Sequence, residues 1–183
     1  MINDLTLIEE YKKGSSAAFE ALYKKYASKM KWVAFRYVND QALSEDILQE
    51  AFVKVFKKIE TYENTGSFEG WLRRTVVNTA INYYNSIKKE NERMAEFGTS
   101  AENENATESA DDGDNYTLQE LMDAVNMLPE GYKVVFNLYA IDQYSHKEIA
   151  EALNISEGTS KSQLFKARTF LKKILKEKKT IAK

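Results

Sequence analysis

The stretch 145-SHKEIAEALNISEGTSKSQLFKARTFLKKIL-175 decides the fold of this chain. Ser145 and Glu148 stand in the S-x-x-E register of a reciprocal capping pair, which opens a helix by satisfying two of its free backbone donors. Ile149, Ala150 and Leu153 follow at helical spacing and form its inner side. Asn154 and Ile155 then make a tight turn, because asparagine is one of the few residues that tolerates left-handed backbone. Ser156 caps a second, longer helix with Thr159, Leu164, Ala167 and Leu171 turned inward. Two helices joined by so short a turn, with the small Ala150 where they cross, predict a helix-turn-helix.

Upstream of it the helical spacing continues. One helix ends before Leu128-Pro129, and a second is built on Val134, Val135, Phe136, Leu138 and Tyr139. Residues 91–118, NERMAEFGTSAENENATESADDGDNYTL, contain almost no large apolar group. Such a segment cannot offset its ordering entropy by burial, and a flexible linker is expected there. The part before it reads as four helices. A short one spans Asn3 to Lys13, and Gly14-Ser15 interrupts it. Ser15 or Ser16 then caps a long helix with an apolar stripe of Phe19, Leu22, Tyr23, Tyr26, Met30, Val33, Ala34 and Tyr37. After Asn39-Asp40 comes the stripe Ala42, Ile47, Leu48, Ala51, Phe52, Val55, Phe56 and Ile59. The loop TYENTGS leads to a helix from about Phe68 to Lys89, with Trp71, Leu72, Val76, Ala80, Tyr83 and Ile87 inward. The expectation is an all-α protein of two small domains, residues 1–90 and 119–183, joined by the linker 91–118.

Composition narrows the functions open to such a chain. Among 183 residues there is no cysteine, one histidine and one proline, so disulfides, thiolate catalysis and thiolate zinc sites are excluded. No G-x-G-x-x-G, Walker loop or H-E-x-x-H is present. Asp111 and Asp112 lie in the linker, where nothing fixes a metal geometry, and His146 beside Lys147 reads as solvated surface. Neither an enzyme nor a metal or other cofactor is expected. The N-terminus lacks the basic-then-apolar order of a secretory signal, and no apolar run approaches the roughly 20 residues that span a bilayer. A cytoplasmic protein without membrane insertion is the resulting expectation.

The net charge of −2 argues at first against a nucleic-acid partner. It conceals a segregation: residues 1–90 carry 14 basic and 12 acidic groups, 91–118 one and eight, and 119–183 eleven and eight. In residues 157–183 nine basic groups face only two acidic ones, the local excess that a phosphate backbone attracts. Once the inner side of the second helix of the helix-turn-helix is assigned, Glu157, Lys161, Gln163, Lys166 and Arg168 point outward, as entry into a major groove requires. A solvated basic helix end is the plainer alternative. On the helix from Phe68, Arg74, Asn78, Asn82 and Asn85 share a face at steps of four, four and three. Asparagine weakens helices, and a side chain that both donates and accepts suits base edges; the alternative is a merely polar surface. Asp46, Glu50, Val53, Lys54 and Lys57, with Gln49 adjoining, make a mixed face better suited to protein docking than to DNA.

Three motifs in order, SEDILQEAFVKVF, SFEGWLRRTVVNTAINYY and LPEGYKVVFNLYAIDQYSHKEIAEALNISEGTSKSQLFKARTFL, resemble regions 2 and 4 of the extracytoplasmic-function sigma factors of the sigma-70 family. The resemblance covers nearly the whole chain. It implies a protein that binds core RNA polymerase and directs promoter recognition and transcription initiation. Asp46, Gln49, Glu50 and Lys54 would meet the coiled coil of the largest polymerase subunit. Asn78 and Asn82, with Arg74 and Asn85 on the same face, would read the minus-10 element. The loop carrying Tyr62, Asn64 and Ser67 would hold a flipped-out non-template base. The minus-35 element would fall to Ser156, Glu157, Thr159, Lys161, Ser162, Gln163, Lys166 and Arg168, in a domain that also leans on the polymerase flap. The resemblance further allows an anti-sigma factor as a partner. Two departures stand out: Ser160 where the family usually has valine, and Gln163 where it usually has arginine. Trp71 lies on the apolar stripe as a core residue, with a strand-separating wedge as the alternative. A stand-alone helix-turn-helix regulator and a helical scaffold remain the competing functions.

Overall fold

The computed structural model describes residues 3–95 and 116–181, all helical or connecting, with no strand among them. In order they form α1 (Asp4–Lys12), α2 (Ser16–Val38), α3 (Gln41–Lys57), a 3-10 turn (Ile59–Thr61) and α4 (Phe68–Ala95). Then come α5 (Leu118–Asn126), α6 (Glu130–Phe136) running on into a π-helical turn (Asn137–Ile141), α7 (His146–Leu153) and α8 (Glu157–Ile181). The chain divides into two compact units, 1–88 and 89–183. Most of the segment expected to be a linker lies outside the described residues. Its first residues extend α4 to Ala95, past the expected end at Lys89, and its last residue, Leu118, opens α5.

Helix ends follow the polar residues. Ser15 accepts from the Ala18 amide and Asp40 from the Leu43 amide, so each satisfies an otherwise unpaired donor of α2 and α3. Asn39 closes α2 with left-handed backbone at φ 50°. The expected capping box at Ser145 and Glu148 forms, and so does a second at Thr117 and Glu120. Asn154 supplies the left-handed turn between α7 and α8 at φ 53°.

In the first unit α2, α3 and α4 surround Leu22, Met30, Val55, Leu72 and Val76, all fully buried. Each such side chain contributes about 1.5–3 kcal/mol by leaving water. Asp4 ties α1 to α2, accepting from Lys25 Nζ and from the Tyr26 hydroxyl at 2.5 Å each. Several stripe assignments need correction. Ala42 is exposed, and Ser44 takes the buried place, its hydroxyl donating to the Gln41 carbonyl at 2.8 Å. Phe19 sits at the rim, 37% exposed, yet packs on Phe56 at 4.2 Å. On α4 the inner face is wider than expected. It includes Val77 and Ile81, which leaves Trp71, Tyr83 and Ile87 at its half-buried edge.

The second unit packs α5 and α6 against α8 around Ala124, Val125, Leu128, Ala167, Leu171 and Leu175. Leu138, Ile149, Leu153 and Leu164 are buried as well. Tyr139, expected inward, is 36% exposed because the π-helical turn widens the helix where it stands.

Candidate nucleic-acid and polymerase interfaces

Arg74, Asn78 and Asn82 are exposed on α4, one turn apart; Asn85 lies on the same side, half-buried. The face is as the spacing predicted for its first three members. Behind it runs a ladder of hydroxyls: Thr79 donates to the Thr75 carbonyl at 2.8 Å, and Thr75 to that of Trp71 at 3.0 Å.

The loop 62–67 is shaped by its own side chains. Asn64 takes left-handed backbone at φ 57°, and the Tyr62 hydroxyl donates across the loop to the Gly66 carbonyl at 2.6 Å. Burial, reinforced by the charge of Asp4, raises the Tyr62 phenol above its ordinary pKa, so the donor stays protonated. Ser67 accepts from the Gly70 amide at 3.0 Å at the start of α4. A Cβ at Gly70 would stand 3.1 Å from the Ser67 hydroxyl, which would have to shift by a few tenths of an ångström to admit it. Under this loop lies a hollow of about 350 Å³ walled by Tyr62, Gly66, Ser67, Gly70, Trp71 and Arg74.

Trp71 is neither sealed in the core nor projected as a wedge. It is half-buried, stacks on Tyr62 with centroids 5.2 Å apart, and forms a wall shared by two hollows. The second, about 310 Å³, lies between the end of α3 and the middle of α4 and is lined by Lys54, Lys58, Asn78, Thr79 and Asn82 besides Trp71.

On α3, Asp46, Gln49 and Glu50 are exposed together, with Val53 51% exposed beside them. Lys54 departs from this group. Its Nζ pairs with Glu50 at 2.7 Å and donates to the Thr79 hydroxyl of α4 at 3.2 Å, which turns it into the second hollow.

In the helix-turn-helix, Ser156, Glu157, Lys161, Ser162 and Arg168 are exposed, whereas Thr159, Gln163 and Lys166 are half-buried. Ser156 accepts from the Thr159 amide at 2.9 Å and lies 2.8 Å from its hydroxyl, so both side chains serve the first turn of α8. Ser162 donates to the Thr159 carbonyl at 3.0 Å. Lys161 and Glu157 form a loose pair at 4.0 Å, and Arg168 lies over the Tyr139 ring at 5.9 Å.

His146 is not solvated surface. It is half-buried, stacks on Tyr139 at 4.5 Å, and its Nδ1 shares a hydrogen bond of 2.9 Å with the Ser160 hydroxyl. Ser160 is fully buried, and a buried hydroxyl needs a partner. The departure at position 160 was therefore the signal that the lone histidine is packed. Burial first, then the charges of Lys161 and Arg168, lower the His146 pKa, while Glu157 opposes them.

Sequence periodicity also missed exposed apolar groups. Trp32 is 47% exposed and stacks on Phe35 at 5.6 Å. Leu118, Leu121 and Met127, on or just after α5, are 76%, 39% and 60% exposed, and Phe170 of α8 is 36% exposed. No group of residues able to hold a metal ion occurs among the described residues, and none of their helices is long and apolar enough to cross a membrane.

A helical unit with a carboxamide face beside two hollows, together with a helix-turn-helix unit bearing exposed cations, defines a two-module helical nucleic-acid-binding protein. Residues 22–90 match the family model for sigma-70 region 2, and residues 118–171 match that for sigma-70 region 4. The chain belongs to the sigma-70 family, as an RNA polymerase sigma factor of the extracytoplasmic-function type. It is 29% identical over 178 residues to the ECF RNA polymerase sigma-E factor of Haemophilus influenzae, covering 93% of this chain and 94% of that one. Against the RNA polymerase sigma-H factor of Pseudomonas aeruginosa it is 27% identical over 180 residues, covering 94% and 93%. The fold is shared with the sigma factor RpoE of Bartonella quintana, solved in complex with the anti-sigma factor NepR. The TM-score is 0.52 at 20% identity, covering 86% of this chain and 96% of that one.

Proposed function

We propose that this sigma factor binds core RNA polymerase and opens promoters by dividing recognition between its modules: residues 1–90 capture the melted minus-10 element, and residues 119–183 read the minus-35 element as duplex. Residues 91–118 tether the two. Asn78 and Asn82 read exposed bases, with Arg74 and Asn85 flanking them, and the loop of Tyr62, Asn64 and Ser67 receives a base taken out of the stack. Such capture costs a few kcal/mol of unstacking, which stacking on aromatic side chains offsets. The observation that carries this reading is the pair of hollows flanking Trp71 directly beside the exposed asparagines.

On α8 the exposed Glu157, Lys161, Ser162 and Arg168, with Gln163 and Lys166 beside them, face the major groove, and Ser156 and Thr159 hold the first turn that enters it. Asp46, Gln49 and Glu50 dock on the coiled coil of the largest polymerase subunit. The exposed Leu118, Leu121, Met127 and Phe170 give the second module an apolar surface for the flap. The protein performs no bond chemistry, uses no metal or other cofactor, and acts in the cytoplasm. An anti-sigma factor, of the kind bound to the Bartonella quintana protein, is its proposed inhibitory partner.

Run-off transcription with core polymerase tests the reading. Promoter-specific transcript should appear only when this chain is added, and the chain alone should bind promoter DNA weakly. Tight, specific DNA binding without polymerase and no stimulated transcript would mark a stand-alone regulator instead.

A further inference from the structure

We propose that docking on the minus-35 duplex is linked to protonation of His146, so that the second module gains one cation, and with it affinity, as pH falls. The inference rests on the function proposed above and adds regulation to it. Three side chains from three elements meet here. The π-helical turn presents Tyr139 at the surface; the His146 ring of α7 stacks on it at 4.5 Å, and the Arg168 guanidinium of α8 lies over it at 5.9 Å. His146 therefore shares one aromatic ring with an exposed cation of the helix proposed to enter the groove.

The ring is anchored in a way that survives charging. Its Nδ1 shares a hydrogen bond of 2.9 Å with the buried Ser160 hydroxyl. A hydroxyl both donates and accepts, so this bond serves the neutral ring and the imidazolium alike, and the Tyr139 face favours a cation against it. The charged groups that face the ring from α8 are Lys161, Arg168 and Glu157. On α7 itself Lys147 is exposed beside it, and the Glu148 carboxylate is taken up by Ser145. In the free chain burial and the two cations of α8 disfavour a proton, and Glu157, loosely paired with Lys161 at 4.0 Å, opposes them only in part. A polyanion brought against Lys161 and Arg168 reverses that balance, because nearby negative charge favours the imidazolium. By reciprocity the imidazolium favours the duplex to the same extent. The valine usual in the family at position 160 would offer no such anchor.

The chain has one histidine, so its imidazole proton signals are unambiguous in NMR spectra of the full chain. Titrated with pH at low salt, their midpoint should lie below the ordinary imidazole value in the free chain. It should move up with excess duplex carrying the minus-35 sequence of a promoter transcribed in the run-off assay. In fluorescence anisotropy with the same duplex, rhodamine-labelled, binding should be about three- to tenfold tighter at pH 5.5 than at pH 7.5, and the plot of log affinity against log salt steeper by up to about 0.9. His146→Gln keeps a polar partner for Ser160 but cannot take a charge; it should lose both effects and match the unaltered chain at pH 7.5. Acid loosening of the fold acts in the opposite direction, so tighter binding isolates the charge. The linkage is overturned by a midpoint that the duplex leaves in place, by affinity that stays constant or falls on acidification, or by an equal pH effect in His146→Gln. If the unaltered chain directs no transcript with core polymerase, the functional reading itself fails, a result neither titration can produce.

Discussion

α4 and α8 both expose a polar helix face, yet they are built on opposite plans. On α4 the exposed groups are carboxamides, and beside them the surface is hollowed on either side of Trp71. On α8 they are cations on a helix whose first turn is tightened by Ser156 and Thr159. A concave surface with donor and acceptor groups accommodates a base that has left the stack. A convex cationic rod fits an intact groove. On the function proposed above, the contrast assigns the melting step to the shape of the first module and the docking step to the charge of the second.

The contrast breaks most sharply at Asn78 and Asn82. If both read bases, replacing the pair with alanine removes about 1–3 kcal/mol of recognition at each, or on the order of 10²–10⁴-fold in open-complex formation. Permanganate reactivity of the melted strand should be lost while polymerase affinity stays intact; an equal loss of both would make these residues structural. On the other module, Lys161→Gln should weaken duplex binding evenly across sequences and reduce its salt slope by about 0.9, whereas Gln163→Arg should steepen it by a similar amount. Titration of a minus-35 duplex at several salt concentrations distinguishes the two, and a change in melting from either variant would erase the distinction between modules.

Smaller effects concern how the helix-turn-helix holds its shape. Ser160→Val strips the His146 ring of its partner and should cost about 1 kcal/mol in urea unfolding. Adding His146→Leu should recover most of that loss, and simple additivity would deny the coupling. The imidazole is held below its ordinary value of 6.5 by burial and neighbouring cations. As pH falls through that value the unfolded chain takes up the proton first, so stability is complete above about pH 6.5 and declines below it. His146→Gln should flatten the urea midpoint between pH 7.5 and 5.5, and an unchanged slope would remove the ring from the account.

Much of this was legible from residue spacing, because capping boxes and left-handed asparagines act locally. Ser145, Glu148 and Asn154 placed the helix-turn-helix to the residue, and Arg74, Asn78 and Asn82 emerged on one exposed face as their spacing required. What stayed hidden depends on neighbours distant in sequence. Trp71 stands on an apolar stripe, yet the broad inner face of Val76, Val77, Ala80 and Ile81 rotates it to the edge, where Tyr62 meets it. Lys54 lies on the polar side of α3, and only Thr79, 25 positions later, draws it toward α4. His146 looks exposed until Ser160, 14 positions on, is seen to need a partner.

The wall that Trp71 forms between the two hollows gives the molecule a built-in reporter. The chain has two tryptophans, and the other, Trp32, belongs to α2. With Trp32 changed to phenylalanine, all of this chain's own indole emission comes from the septum, and stacking of a nucleobase against it is expected to quench that light. The strand capture proposed above would then be followed in real time as a change in that emission, without a dye attached to either protein or DNA.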